Sequence, residues 1–358
     1  MFASLKERVS NLFRKRESSE LENDELENRE EGSLLLKILT SVLAAVVLVI
    51  LGLGIYWSLE PDSFSVSANQ AERLAASGGS PRPGSASAAT LIRIAQTLLD
   101  KPGGYLSNDV MPPGLYLDNI PNWEFGVLVQ VRDFSRAFRE SFSRSQSQSE
   151  EDRDLREAEP LFSFDYQSWM FPPTESEYGR AIGLLDSYLD RLTNPQNNDA
   201  QFFARADNLA SWLMTVESRL GSLSCRLSAC VGENRLTSLP PGAELSDPER
   251  ATSRTGRPGT PWLQVDDIFY EARGTTWALL HFLLAVKSDF ADVLEDKNAM
   301  ASLDQIIRDL ELSQRRVFPV ILNGSGFGIF ANHSLTMANY VSRANAAIID
   351  LRSLLAQG

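Results

Sequence analysis

FFARADNLASWLMTVESRLGSLSCRL, residues 202–227, is the stretch whose reading decides the fold. Phe202, Ala206, Leu209, Leu213, Val216, Leu220, Leu223 and Leu227 recur at spacings of four and three without a miss. Such a set falls on one face only in an α-helix, and an unbroken stripe of this kind is the seam along which one long helix packs on another. The seam predicts an antiparallel neighbour or the same helix of a second subunit, with Leu213 and Leu220 as candidate partner-binding residues.

Helical periods continue on both sides. Upstream, Val127, Val131, Phe134, Phe138 and Phe142 form one stripe, ending in the polar run SRSQSQSEED. Tyr178, Ile182, Leu185, Leu189 and Leu192 form another, opened by Thr174 and Glu177 at capping-box spacing. Leu91, Ile94, Ala95, Leu98 and Leu99 form a third, stopped at Pro102-Gly103-Gly104. Between them, Tyr105 to Trp123 is aromatic and apolar enough to pack on the body. Downstream, Asp266 to Glu295 reads as one long helix whose centre, Trp277 to Val286, is apolar all round. That centre is too short to cross a bilayer and predicts a central core helix. Helices over Ala301 to Arg316 and Leu335 to Leu355 complete an all-α body.

A different stretch sets the location. SLLLKILTSVLAAVVLVILGLGIYWSLE, Ser33 to Glu60, contains a charge-free run from Ile38 to Trp57. At about 1.5 Å of rise per residue, that run matches the roughly 30 Å of a bilayer's hydrocarbon core. Lys37 at one end and Tyr56-Trp57 at the other are interfacial anchors. The run is too long for a signal peptide and lacks a small-x-small site directly after it. The fold class predicted is therefore all-α, a single transmembrane helix plus a helical-bundle soluble domain. Its parts are a cytoplasmic tail over 1–33, the transmembrane helix over 34–59, a flexible Ser/Gly/Pro linker over 60–87 and a helical periplasmic domain over 88–358 with a long loop at 231–261. The orientation follows from Arg14-Lys15-Arg16, Arg29 and Lys37 before the span, against Arg73 and Arg82 after it. This places the N-terminus in the cytoplasm and the body in the periplasm of a Gram-negative bacterium. The tail itself begins with an amphipathic basic segment, Met1 to Arg16, that fits either an interfacial helix touching membrane lipid or a frayed end. An acidic tether follows, Glu17 to Glu31.

Net charge is −13, most of it on the body, and no basic patch is interleaved with aromatics, so nucleic acid is excluded as a partner. The two cysteines, Cys225 and Cys230, lie five residues apart. On a continuous helix that separation is about 8 Å, beyond a disulfide's reach, so a bridge requires the helix to end between them.

Candidate chemistry is sparse. Only His281 and His333 exist, at spacings that support no metal site. His281, in the most apolar helix, predicts a buried imidazole hydrogen-bonded to a neighbour. The string Asn323-Gly324-Ser325-Gly326-Phe327-Gly328 offers three alternating glycines, Gly324, Gly326 and Gly328, whose N–H groups could face an anion. It lacks the lysine of a P-loop and the nucleophile elbow, so a tight inter-helix turn explains it as well. If there is a reaction centre, Ser325 as nucleophile and His333 as base form the catalytic candidate. Arg132, Arg136 and Arg139 share a helix face and could clamp an anionic glycan or lipid headgroup, or pair with acids of a neighbouring helix. Asp266, Asp267 and Glu271 could be catalytic carboxylates, but they also suit a helix N-terminus.

Four strings, KPGGYLSNDVMPPG (Lys101 to Gly114), NWEFGVLVQVRD (Asn122 to Asp133), FYEARGT (Phe269 to Thr275) and ILNGSGFG (Ile321 to Gly328), resemble an uncharacterised family of bacterial inner-membrane proteins, domain of unknown function 2333. The resemblance runs from about Ile55 to Leu355. It implies a proteobacterial source and one membrane span, and it brings no activity, cofactor or catalytic residue. The residues then favour a non-catalytic envelope scaffold or adaptor, binding a protein partner or a second copy of itself. The alternative is a periplasmic hydrolase acting on cell-wall or lipid material.

Overall fold

The computed structural model describes residues 36–144, 150–196, 199–229, 264–317, 321–322 and 331–357. Among the described residues the regular structure is helical, without strands. The first helix, α1 (Leu36–Trp57), has a mean hydropathy of 2.8 over its most apolar window. Its leucines, isoleucines and valines are exposed along nearly its whole length. Thr40 hides its hydroxyl by donating to the Leu36 carbonyl at 2.9 Å. At 22 residues the helix is long enough to cross a bilayer.

From Trp57 onward the chain forms a second unit. Its helices are α2 (Val66–Ser77), α3 (Ser85–Asp100), α4 (Asn119–Ala137), α5 (Arg153–Phe162), α6 (Thr174–Thr193), α7 (Ala206–Ala229), α8 (Val265–Asp289), α9 (Ala291–Asp296), α10 (Met300–Ser313) and α11 (His333–Ala356). The axis of this body is the pair α4 and α8. Gly126 abuts Glu271 and Thr275, Phe134 stacks on Phe282 at 4.0 Å, and Phe142 meets Phe290 at 5.4 Å, so the two helices run parallel. A π-helical turn, Phe138–Phe142, extends α4 and brings Phe138 and Phe142 against Phe202. The result is an aromatic centre, largely edge-to-face, of the kind that adds about 1 kcal/mol per pair beyond area burial. Helix α3 packs on α4, α6 and α8, α5 packs on α6, and α10 bridges α8 and α11.

The seam on α7 finds its neighbour within the chain. Ser224 meets Ser342 and Glu217 pairs with Arg352, so α11 lies antiparallel to α7. Leu213 and Leu220 are fully buried. They pack in the chain's own core and present no surface to a partner, which corrects the expectation that they bind one. Phe202 sits before the helix, which opens at Ala206.

The expected flexible linker over 60–87 is also corrected. Ser65 caps α2 by accepting from the Ala68 N–H, and Gly78, at φ 68°, ends it. Asn69 donates to the Ala89 carbonyl at 3.0 Å and Arg73 pairs with Asp186 at 2.8 Å. Helix α3 starts at Ser85, earlier than its stripe suggests, because the half-buried Asp289 at the end of α8 accepts from the N–H groups of Ala86 and Ser87. The small side chains that gave this stretch its linker-like composition are what let it pack closely, with Ala86, Ala88 and Ala89 buried.

Three smaller differences follow from local chemistry. Thr174 opens α6 but its hydroxyl donates to the Asp165 and Ser168 carbonyls instead of capping, while Glu177 pairs with Arg180. Helix α8 ends at Asp289, and α9 continues after Phe290. Helix α5, unmarked by any long stripe, is opened by Asp152, which accepts from Asp154 and Leu155 N–H groups. The tail over 1–33 and the loop at 231–261 lie outside the described residues.

Candidate functional site

The arginine stripe on α4 is spent on its neighbours. Arg132 donates to the carbonyls of Phe162 (2.6 Å) and Phe164 (2.8 Å), and Arg139 pairs with Glu140, Glu151 and Glu159. Arg136 stands 3.6 Å from the same Glu159. Arg136 and Arg139 thus meet acids, as the second reading of the stripe has it, while Arg132 pins the turn after α5 through backbone carbonyls. His333 takes the Leu322 N–H on its Nδ1 at 2.9 Å and donates its own backbone N–H to the Leu322 carbonyl at 2.8 Å. Ser325, Gly324, Gly326, Gly328 and Cys230 lie outside the described residues, and Cys225 sits half-buried on α7. Asp267 accepts from the Asn122 amide at 2.8 Å, and Glu271 pairs with Arg226. Burial, with Asp266 and Asp118 nearby, raises the Asp267 pKa. Among the described residues no three His, Cys, Asp or Glu side chains are grouped to hold a metal ion.

A further group of polar contacts lies where the chain leaves α1. Glu60 receives a two-pronged contact from Arg273 of α8, which also donates to the carbonyls of Ser313 (3.0 Å) and Arg315 (2.6 Å). At the surface, Arg316 pairs with Asp62 at 2.7 Å, an exposed contact of little weight. The Phe64 N–H donates to His281 Nε2 at 3.1 Å, while the Phe64 ring stacks on the imidazole at 4.1 Å. His281 Nδ1 donates in turn to the Trp277 carbonyl at 2.7 Å, which fixes the tautomer. Residues 60–64 are therefore bound to α8 at each end, through Arg273 and His281.

The same end of the body is closed by the loop after α3. Gly103, at φ 88°, lies against the indole of Trp57 so closely that a Cβ would come within 2.8 Å of the ring. Beneath it the fully buried Lys101 and Glu124 form an ion pair. Glu124 also accepts from the N–H groups of Leu106 and Ser107 at 2.8 Å each. Burial pushes its carboxyl pKa up, opposed by the Lys101 ammonium and these donors. Such a pair supplies registry more than net stability, since its desolvation cost offsets much of the attraction. With the charges matched inside the chain, the arrangement fastens residues 57–64, the segment that follows α1, to the rest of the body. Three of the four strings quoted above meet here, through Lys101 and Gly103, Glu124, and Arg273.

The fastening carries a pH signature. Burial pushes the His281 pKa down to about 4, so the folded ring stays neutral. In the unfolded chain it titrates near its ordinary value of about 6.5. Stability is then fullest above that value and is lost progressively as pH falls toward 4, by up to about 3 kcal/mol. Thermal melts should show wild type losing more stability than His281→Gln over this interval. Equal pH slopes would mean that the ring charges without cost.

These residues define a class, an all-helical body behind one helix long and apolar enough to cross a membrane. The chain belongs to a family of uncharacterized proteins conserved in bacteria, DUF2333, whose model matches residues 29–358. No curated protein and no solved structure matches it.

Proposed function

We propose that this protein is a single-pass inner-membrane protein with a cytoplasmic N-terminus and a periplasmic body, acting as a non-catalytic scaffold or adaptor for a protein partner. The observation that carries this reading is the fastening of Glu60, Asp62 and Phe64 to Arg273, Arg316 and His281. A body hung on a loose tether has no need of it, whereas a scaffold gains when the segment that follows its anchor is ordered as part of the body. The excess of Lys and Arg before α1 supports the orientation. A C-terminal alkaline phosphatase fusion is expected to be active and a C-terminal green fluorescent protein fusion dark. The reverse pattern would overturn the orientation. Cross-linking in living cells is expected to recover a stoichiometric protein companion with the full-length chain, and recovery of the chain alone would count against the scaffold reading.

A further inference from the structure

Two loops of the body turn apolar side chains outward, against the ordinary rule for a soluble surface. In the loop between α3 and α4, Tyr105 and Leu106 are buried but Met111 is 71% exposed and Tyr116 74%, with Leu115 beside them. In the loop between α5 and α6, Trp169 is 53% exposed, Met170 is also exposed, and Phe171 is 92% exposed at φ 56°. A phenylalanine held in the left-handed region with its ring in solvent is strained and unrewarded unless something covers it.

The two loops are neighbours. Asn108 donates one amide to both the Ser168 carbonyl and Glu175, at 2.8 Å each, and the Tyr105 hydroxyl donates to the Tyr166 carbonyl at 3.0 Å. The first loop also packs on Trp57, the residue at which α1 ends, through Gly103. The outward side chains therefore belong to two joined loops, one of which touches Trp57. Their chemistry is that of an interfacial anchor, with Trp and Tyr for the headgroup level and Met, Leu and Phe for the acyl chains. No Lys or Arg occurs in 102–131 or 157–179, so attraction to anionic headgroups plays no part.

We infer that these paired loops insert into the leaflet on the body's side of the membrane, through Phe171 and Met111 among others, and give the body a membrane contact of its own in addition to α1. The inference rests on α1 spanning the membrane, and its test separates the two. Full-length protein lacking its native cysteines (Cys225→Ser, Cys230→Ser) is given one environment-sensitive fluorophore at a time, through Ile55→Cys, Met111→Cys, Phe171→Cys or Glu295→Cys. It is then reconstituted in vesicles of phosphatidylcholine with or without brominated acyl chains. Ile55 lies within α1, and Glu295 is exposed beyond the far end of α8.

Bromination is expected to quench the labels at 55, 111 and 171 by about twofold or more, to leave that at 295 unchanged, and to do so equally in high salt. Quenching at 55 without quenching at 111 and 171 overturns the insertion and leaves the patch to a protein partner. Absence of quenching at 55 as well overturns the membrane span on which the inference rests. Quenching at 111 and 171 that vanishes in high salt would contradict an apolar contact.

Discussion

Replacing Gly274 by alanine is expected to destabilise the body by about 2–4 kcal/mol, a large share of the 5–15 kcal/mol typical of a folded domain. A Cβ at Gly274 would lie 2.0 Å from the Trp123 carbonyl oxygen, and one at Gly126 would lie 2.1 Å from that of Glu271. Both obstacles are backbone, so no side chain can swing aside. Helices α4 and α8 would have to separate, and the stack of Phe134 on Phe282 and the meeting of Phe142 with Phe290 depend on their spacing. The helix-propensity gain of about 1 kcal/mol is the only compensation. Gly179 supplies the control, because on α6 its added Cβ meets nothing within 4 Å. Gly179→Ala is expected to be neutral or stabilising by up to about 1 kcal/mol. Chemical denaturation of the full-length protein in detergent, followed by circular dichroism, compares them. Equal midpoints for the two variants would contradict the backbone crossing.

Arg273→Ala should cost about 3–5 kcal/mol, because it strands a partner charge and two carbonyls at once. Arg273 is 2% exposed and its guanidinium serves Glu60, Ser313 and Arg315 together. Lysine should not rescue it, since a single ammonium cannot reproduce the planar fork. The loss is expected to fall first on residues 58–65, whose ties to the body run through this side chain and its neighbour His281, two turns along α8.

How much of this was legible beforehand differs by element, for physical reasons. The α7 stripe is a local periodicity, so its helix and its buried face follow from spacing alone. Whether its neighbour was α11 or another subunit depends on contacts more than a hundred residues apart, which spacing does not encode. Helix α2 and the start of α3 were hidden because their packing relies on alanine and serine, residues that composition assigns to linkers. The arginines of α4 were visible as a row, but α5, which holds Glu159, carries too short a stripe to announce itself. Glu60 and Arg273 lie 213 residues apart and neither stands out in its own surroundings. The family strings did mark the region, since Lys101, Glu124 and Arg273 each fall within one.

Residues 57–64 are fastened to the body, and amide hydrogen exchange of the full-length protein in lipid nanodiscs tests this most directly. The Phe64 N–H, bonded to His281, and the amides of α2 are expected to exchange slowly, at rates within about tenfold of those in α3, and to lose that protection in Arg273→Ala while α3 keeps its own. Exchange of residues 58–77 at the rate of an unstructured chain in the wild-type protein would contradict the fastening and return this stretch to a flexible tether.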